Sequence, residues 1–213
     1  MRGKLESGGR VDHPGCGRRA VSHAGGMPFG PLLIGPRVVL RPAADGDAEA
    51  RRLLGRHADI ARMFGAAQPS SGPMSSVAAQ AWLEKLGEAG TVEWVVDAEG
   101  QFLGTTRLHS FREDGSARYA VGFFDPERLG RGFGTEATAL VVQYAFGSLG
   151  LQRLDLAVLE FNERAIRCYK RCGFREVGRA SEVVVIDGEP HHDVLMEITP
   201  STLCFWVSTP MTT

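Results

Sequence analysis

The sequence predicts a mixed α/β (α+β) domain, and three observations carry that expectation. The chain has 213 residues, which suits one domain with some length to spare. Its hydrophobic share of 43% is enough for a core. Its elements run as one strand, helices, a three-strand meander, a helix, a strand, a helix and a closing hairpin. Regular βαβ winding does not produce that order.

Each element follows from a local signal. Arg37-Val38-Val39-Leu40-Arg41 reads as the first strand. Asp45 or Asp47 can cap a helix running to about Leu54, and a second helical patch covers His57 to Phe64. Ser75-Ser76 precedes an amphipathic helix over Val77 to Leu86. Glu93 to Val96 is a strand, Asp97-Ala98-Glu99-Gly100 a turn, and Gln101 to His109 the strand that completes a hairpin. Glu113-Asp114-Gly115 turns the chain into a strand over Ala117 to Phe124. Asp125-Pro126 ends it, because proline removes a ladder donor. Thr135 to Phe146 is a helix with Ala137, Leu140, Val141 and Tyr144 on one face, stopped by Gly147 and Gly150. Leu154 to Leu159 is a buried strand. Asn162 caps the next helix and Gly173 supplies its end. Phe174 to Gly178 and Glu182 to Ile186 enter the closing hairpin, with Asp187-Gly188 as the turn and His192 to Ile198 pairing back.

Composition excludes several classes. The formal net charge of −1 provides no basic field for nucleic acid. No apolar stretch is long enough to span a bilayer, and Pro28 to Ile34 is too short and too rich in Pro and Gly for a signal core. Cys16, Cys168, Cys172 and Cys204 lack a zinc-finger spacing. Cys168 and Cys172 share a helix face at i, i+4, but no histidine is spaced to join them, so they read as small buried thiols and no metal is expected. A reducing, cytoplasmic protein is expected. Residues 1–26 are rich in Gly and Arg and show no periodicity, so they read as a leader that cannot offset its chain entropy. Met27 is a candidate start. The expected division is a flexible extension over 1–35, a folded domain over 36–199 and a tail over 200–213.

The chemistry concentrates between residues 129 and 174. Gly130, Gly132 and Gly134 lie between a strand and a helix start. Backbone without Cβ atoms approaches a ligand closely, and the helix N-terminus adds free donors and partial positive charge. A phosphate or pyrophosphate suits that place, with Arg131 adding a cation and Thr135 a hydroxyl. A Walker A loop fails, because Gly134 is followed by Thr135-Glu136 and not Lys-Ser/Thr. Gly132-x-Gly134-x-x-Ala137 meets a relaxed dinucleotide fingerprint, but too little chain follows for a doubly wound sheet. A plain tight turn also accounts for the glycines. Asn162 reads as a helix cap, and Tyr169 either as a core aromatic or as an acid.

In combination, these motifs resemble the GCN5-related N-acetyltransferase (GNAT) family, and particularly its ribosomal-protein/N-terminal alanine acetyltransferase-like branch. The family's Gln/Arg-x-x-Gly-x-Gly/Ala motif maps onto Leu129-x-x-Gly132-x-Gly134, departing at Leu129. Phe133-Gly134-Thr135-Glu136-Ala137 resembles the branch's continuation, and Asn162…Tyr169…Gly173-Phe174 matches the second motif. The likeness runs from Arg37 to about Ile198. It implies a GNAT fold in which a mixed, mostly antiparallel sheet, flanked by helices, is splayed at the acetyl-CoA site. It also implies an N-acetyltransferase with acetyl-CoA as co-substrate and a primary amine as acceptor, a protein N-terminus or a small molecule, attacked directly in a ternary complex. Phe123, Phe124 and Asp125 are then expected to hold the pantetheine arm through their backbone. Gly130, Arg131, Gly132, Phe133, Gly134 and Thr135 are expected to hold the pyrophosphate, Asn162 the arm or a water, and Tyr169 the proton for the leaving thiol.

Many relatives carry a carboxylate base on the strand before the glycine turn; this chain has none there, and Tyr119 stands in that region. His109, Glu113, Tyr119, His191, His192 and Asp193 are the acceptor-side candidates. In a strand only alternate residues share a face, so His191 and Asp193 pair while His192 points away. The expected partners are acetyl-CoA and the amine, with no nucleic acid or membrane, in a monomer or homodimer. The alternative is a catalytically silent acyl-CoA-binding module of the same fold.

Overall fold

The computed structural model describes residues 29–201. Met27, Cys16, Cys204, the leader and most of the expected tail lie outside them. The described chain folds into one eight-stranded sheet, in the order β1-β2-β3-β4-β5-β6-β8-β7. The strands are β1 (Leu33–Ile34), β2 (Val38–Arg41), β3 (Val92–Ala98), β4 (Gln101–His109), β5 (Ser116–Phe123), β6 (Arg153–Leu159), β7 (Arg175–Ile186) and β8 (Glu189–Ile198). The helices are α1 (Gly46–Leu54), α2 (Ala58–Met63), α3 (Ser76–Glu84), α4 (Phe133–Gly147) and α5 (Glu163–Arg171). Every strand pair is antiparallel except β5–β6, which α4 joins as a crossover.

Alternation along the strands assigns the two faces. Trp94 packs edge-on against Tyr144 of α4, and Ile198 lies beside Gly173 at the end of α5. The face carrying Trp94, Tyr119, Leu154, Leu156, Val194, Met196 and Ile198 is therefore the α4/α5 face, and these residues form the core with Ala137, Val141 and Ala145 of α4. The other face meets α1, α2 and α3. Phe64, which ends α2, sits over Gly122, where a Cβ would come within 2.7 Å of its ring.

Three expectations shift. The turn foreseen over Asp97 to Gly100 shortens to Glu99-Gly100, both with positive φ, because Arg41 on β2 binds the Asp97 carboxylate at 2.6 Å and keeps it in the strand. The two pieces foreseen before Asp187 form one strand, β7, with irregular register between Glu176 and Gly178 and between Arg179 and Val183. Residues 29–35, foreseen within the extension, lie on the domain: β1 pairs with β2, Gly30 N donates to Glu93 O, and Trp94 Nε1 donates to Pro31 O at 2.8 Å. The indole needs that buried acceptor, which fixes the segment.

The site is positioned by the parallel pair. β5 and β6 are paired only over Ser116–Arg118 and Arg153–Asp155. Beyond that they diverge, each continuing to its carboxyl end at Phe123 and Leu159. β6 instead stays paired with β8 through Leu159↔Asp193. The sheet thus opens as a wedge at the end of the β5–β6 pair, where α4 and α5 both begin.

Candidate active site

A cavity of about 680 Å³ passes through the wedge. On the α4/α5 side it is lined by Gly130, Gly132, Gly134 and Thr135 of the glycine turn, by Asn162, Cys168 and Tyr169 of the second motif, and by Tyr119, Val121 and Phe123 of β5. On the opposite side it is lined by Ile60, Met63, Phe64 and Gly65 around α2, Ala157 and Leu159 of β6, Val184 of β7 and Asp193 of β8.

The two helices that begin at the wedge start differently. Asn162 Oδ1 accepts from Ala165 N at 3.2 Å and caps α5. α4 has Gly132 at its cap position, with φ 89, and no capping side chain. No side chain therefore competes for the amides of the first turn, Phe133 to Thr135, which have no intrahelical acceptor. The dipole of the fifteen-residue α4 adds to their pull on an anion. Glycine is required at 132 because an L residue is strained at that φ and a Cβ would also press on Arg37 Nη2 at 3.2 Å. Gly134 faces Phe123 and the Cys168 thiol, where a Cβ would already be in contact at 3.4 to 3.5 Å.

The turn is clasped from behind. Glu136 Oε1 accepts from Arg37 N at 2.7 Å and Val38 N at 2.9 Å, tying α4 to the start of β2. Arg37 Nη1 donates to Arg131 O, and the Arg37 and Arg128 guanidiniums lie over the Phe133 ring at 4.9 and 5.2 Å. Phe133 is buried under them. Phe133 and Arg131 thus serve the turn by shaping its backbone, and neither side chain lines the cavity.

The open edge of β5 offers peptide groups. Phe124 N donates to Leu103 O of β4 at 2.9 Å. Peptide direction alternates along a strand, so the N–H groups of Phe123 and Val121 point the other way, into the wedge that β6 has left. The expected Phe124 donor is thus spent on β4, and its ring packs between Arg51, Trp82 and Phe102. The Asp125 carboxylate accepts from Glu127 N and its carbonyl from Arg128 N at 3.4 Å, closing a single 3-10 turn over Pro126–Arg128. Val121 was not singled out from the sequence; the alternation of β5 would have found it.

Tyr169 lies on α5 with its ring edge-on to Tyr119 and tilted against Phe174. Burial and the neighbouring Cys168 and Cys172 push its phenol well above the usual tyrosine range, so it carries its proton at neutral pH. Tyr119 is buried on the same face, its hydroxyl 2.9 Å from Thr138 Oγ1, which donates on to Gly134 O. Tyr119 therefore supports the glycine turn from the helix side and does not reach the other mouth. Cys168 lines the cavity. The Cys172 thiol beside it, opposed in part by burial, brings the Cys168 thiol down to about 7, and Thr135 Oγ1 contributes a bond of 3.5 Å. Arg164, Arg167 and Arg171, spaced i, i+3 and i+7 on α5, also border this mouth. That spacing is visible in the sequence, yet the arginines were not singled out.

Of the acceptor-side candidates, Asp193 alone lines the opposite mouth. His109 and Glu113 sit at the closed end of the β5–β6 pair, where His109 pairs across from Arg118. Burial and then the cations of Arg107 and Arg118 lower the His109 pKa. His191 packs edge-on against Phe161 with ring centroids 4.7 Å apart, and its buried Nε2 has no partner among the described residues. His192 is fixed by Glu160 through its amide and by Ala180 O at its Nδ1. No cluster of three or more metal-ligating side chains occurs among the described residues, and no helix there is long and apolar enough to cross a membrane.

Comparison with known proteins adds an independent line. Residues 37–175 match the family model described as an acetyltransferase (GNAT) domain. The uncharacterized N-acetyltransferase YoaA of Bacillus subtilis is 26% identical over 164 residues, 76% of this chain and 92% of that protein. The spermidine N(1)-acetyltransferase of Escherichia coli K12 is 31% identical over 107 residues, 48% of this chain and 55% of that protein. A crystal structure of spermidine N-acetyltransferase from Vibrio cholerae, in complex with CoA and spermine, superposes with a TM-score of 0.66 at 22% identity, covering 80% of this chain and 99% of that one.

Proposed function

The chain belongs to the GNAT acetyltransferase family, and from that premise we propose that it moves the acetyl group of acetyl-CoA to a primary amine by direct attack in one cavity. The observation that carries this reading is the continuity of the cavity, from an uncapped glycine-rich helix start to a chamber on the other face of the sheet. A phosphate-bearing arm and an amine entering from opposite faces meet at the wedge.

The residues fit acetyl-CoA. The left-handed Gly132 and the close approach at Gly134 leave room that a side chain would fill. Acetyl-CoA supplies the activated acetyl thioester. The amides of Phe133 to Thr135 hold the pyrophosphate, and Arg164 and Arg171 draw in the remaining negative charge. The Val121 and Phe123 peptide groups align the arm, and an N–H there stabilises charge developing on the acetyl oxygen. Asn162, its oxygen engaged in the cap, directs its amide NH₂ to the arm. Tyr169 holds a proton at its hydroxyl for the departing sulfur, because a thiol leaves more readily than a thiolate at pH values below about 8.5. β5 carries no carboxylate at the wedge, so the amine proton passes to water or to Asp193.

The test is thiol release from acetyl-CoA by the full chain against a panel of primary amines, with acetylated product identified by mass. Amine-dependent release supports the transferase. Cofactor binding without any amine-stimulated release favours the silent acyl-CoA-binding module.

A further inference from the structure

We infer that the acceptor is an amine with a single cationic nitrogen on an apolar body, anchored by Asp193, and not a polyamine. The inference rests on the acetyl-transfer reading above and adds the class of acceptor.

Among the described residues, the acceptor chamber is lined by one carboxylate, that of Asp193. Acidic groups on β6, just after it and in the β7–β8 turn are ion-paired. Asp155 pairs with Arg112 and with Arg118, Asp187 pairs with Arg62 at 2.9 Å, and Glu160 pairs with Arg179 at 2.6 Å while accepting from His192 N. The Asp193 carboxylate has neither an ion pair nor a hydrogen bond among the described residues, and the residue is half-buried at the chamber wall. A half-buried carboxylate without a partner has given up solvation that one ammonium ion restores.

Around Asp193 the walls are apolar: Ile60, Met63, Phe64, Ala157, Leu159 and Val184. Apolar area here favours an aliphatic or aromatic body on the amine. A polyamine brings two or more further ammonium groups. Among the described residues that line this chamber they find no second carboxylate. Desolvated cations need partners, so the same lining that accepts a monoamine disfavours a polyamine.

The step balances within these parts. The bound ammonium first loses a proton to water. The neutral nitrogen then forms its bond to the acetyl carbon, and the carbon–sulfur bond breaks with its electron pair going to sulfur. Tyr169 protonates the sulfur and is reprotonated by the second amine proton by way of water. The products are an acetamide and CoA thiol.

The experiment compares phenethylamine and leucinamide with spermidine on the full chain, using thiol release, and measures amine binding to the CoA-saturated chain by calorimetry. The expected result is a kcat/KM at least about tenfold higher for the monoamines. Asp193→Asn should lower that value by about tenfold or more and weaken monoamine binding, with CoA affinity unchanged. Met63→Glu, which adds a second carboxylate to the chamber, should shift preference toward spermidine. Preference of the wild type for spermidine, or unchanged monoamine binding in Asp193→Asn, overturns the inference while leaving the transferase reading intact. Absence of thiol release with every amine overturns the transferase reading. Calorimetry then still decides for Asp193, and absence of monoamine binding overturns the inference as well.

Discussion

The helix-side mouth of the cavity is built from backbone, with glycines at 130, 132 and 134, uncapped amides and flanking arginines. The opposite mouth is built from side chains: three on α2 and its end, two on β6, and one each on β7 and β8. A mouth of peptide groups depends on conformation, so few positions there tolerate change. A mouth of side chains contributed by four elements depends on composition, and on the proposed reading single changes there should alter acceptor selectivity before they alter cofactor binding. The comparison separates two kinds of variant, and each experiment below breaks or sharpens it.

The largest effect belongs to Gly132→Val. It forces a β-branched residue to φ 89 at the helix start, and it should abolish the rise in Tm that CoA gives the wild type. Gly134→Val should do the same by filling the space toward Phe123 and Cys168. CoA-induced Tm shifts like those of the wild type in both would reduce the turn to a structural feature. Next, Tyr169→Phe keeps the ring packing and removes the proton. The expected loss in kcat is on the order of 10²-fold, with CoA affinity unchanged, read by steady-state kinetics and calorimetry.

A smaller effect concerns Cys168, whose pKa of about 7 lies below the ordinary thiol range. Its thiolate predominates above about pH 7 and is lost as pH falls below it. Iodoacetamide labelling of Cys168, mapped by peptide mass, should therefore slow about tenfold per unit below that pH, and CoA should protect it. Asn162→Ala removes the α5 cap at a cost of about 1 kcal/mol, visible as a lower Tm. At the small end, a chain beginning at Met27 should keep the Tm, whereas one beginning at residue 36 loses β1 and the Trp94–Pro31 bond and should melt lower.

The same contrast explains what was legible in the sequence. The helix-side mouth is local: Gly132-x-Gly134 and Asn162…Tyr169 fall within one crossover unit, so spacing alone carries their signal. Strands were legible wherever alternation or a turn dipeptide marked them, as at Asp187-Gly188, whose φ values are 54 and 86. The Arg41–Asp97 pair, the Glu136 clasp on β2 and the packing of residues 29–35 on Trp94 are long-range and left no local pattern. The opposite mouth was the least legible for that reason. Alternation set His191 and Asp193 on one face and His192 on the other, and only the pairing of β8 with β6 and β7 brings Asp193, and not His191, to the cavity.

The central claim is that two substrates occupy the two mouths together and react directly. Two-substrate initial rates, paired with intact-protein mass after mixing with acetyl-CoA alone, test it most directly. The account predicts intersecting double-reciprocal lines and no acetylated protein, because the amine attacks without a covalent enzyme intermediate. Parallel lines with one acetyl group on Cys168, the thiol that faces the helix-side mouth, would contradict it.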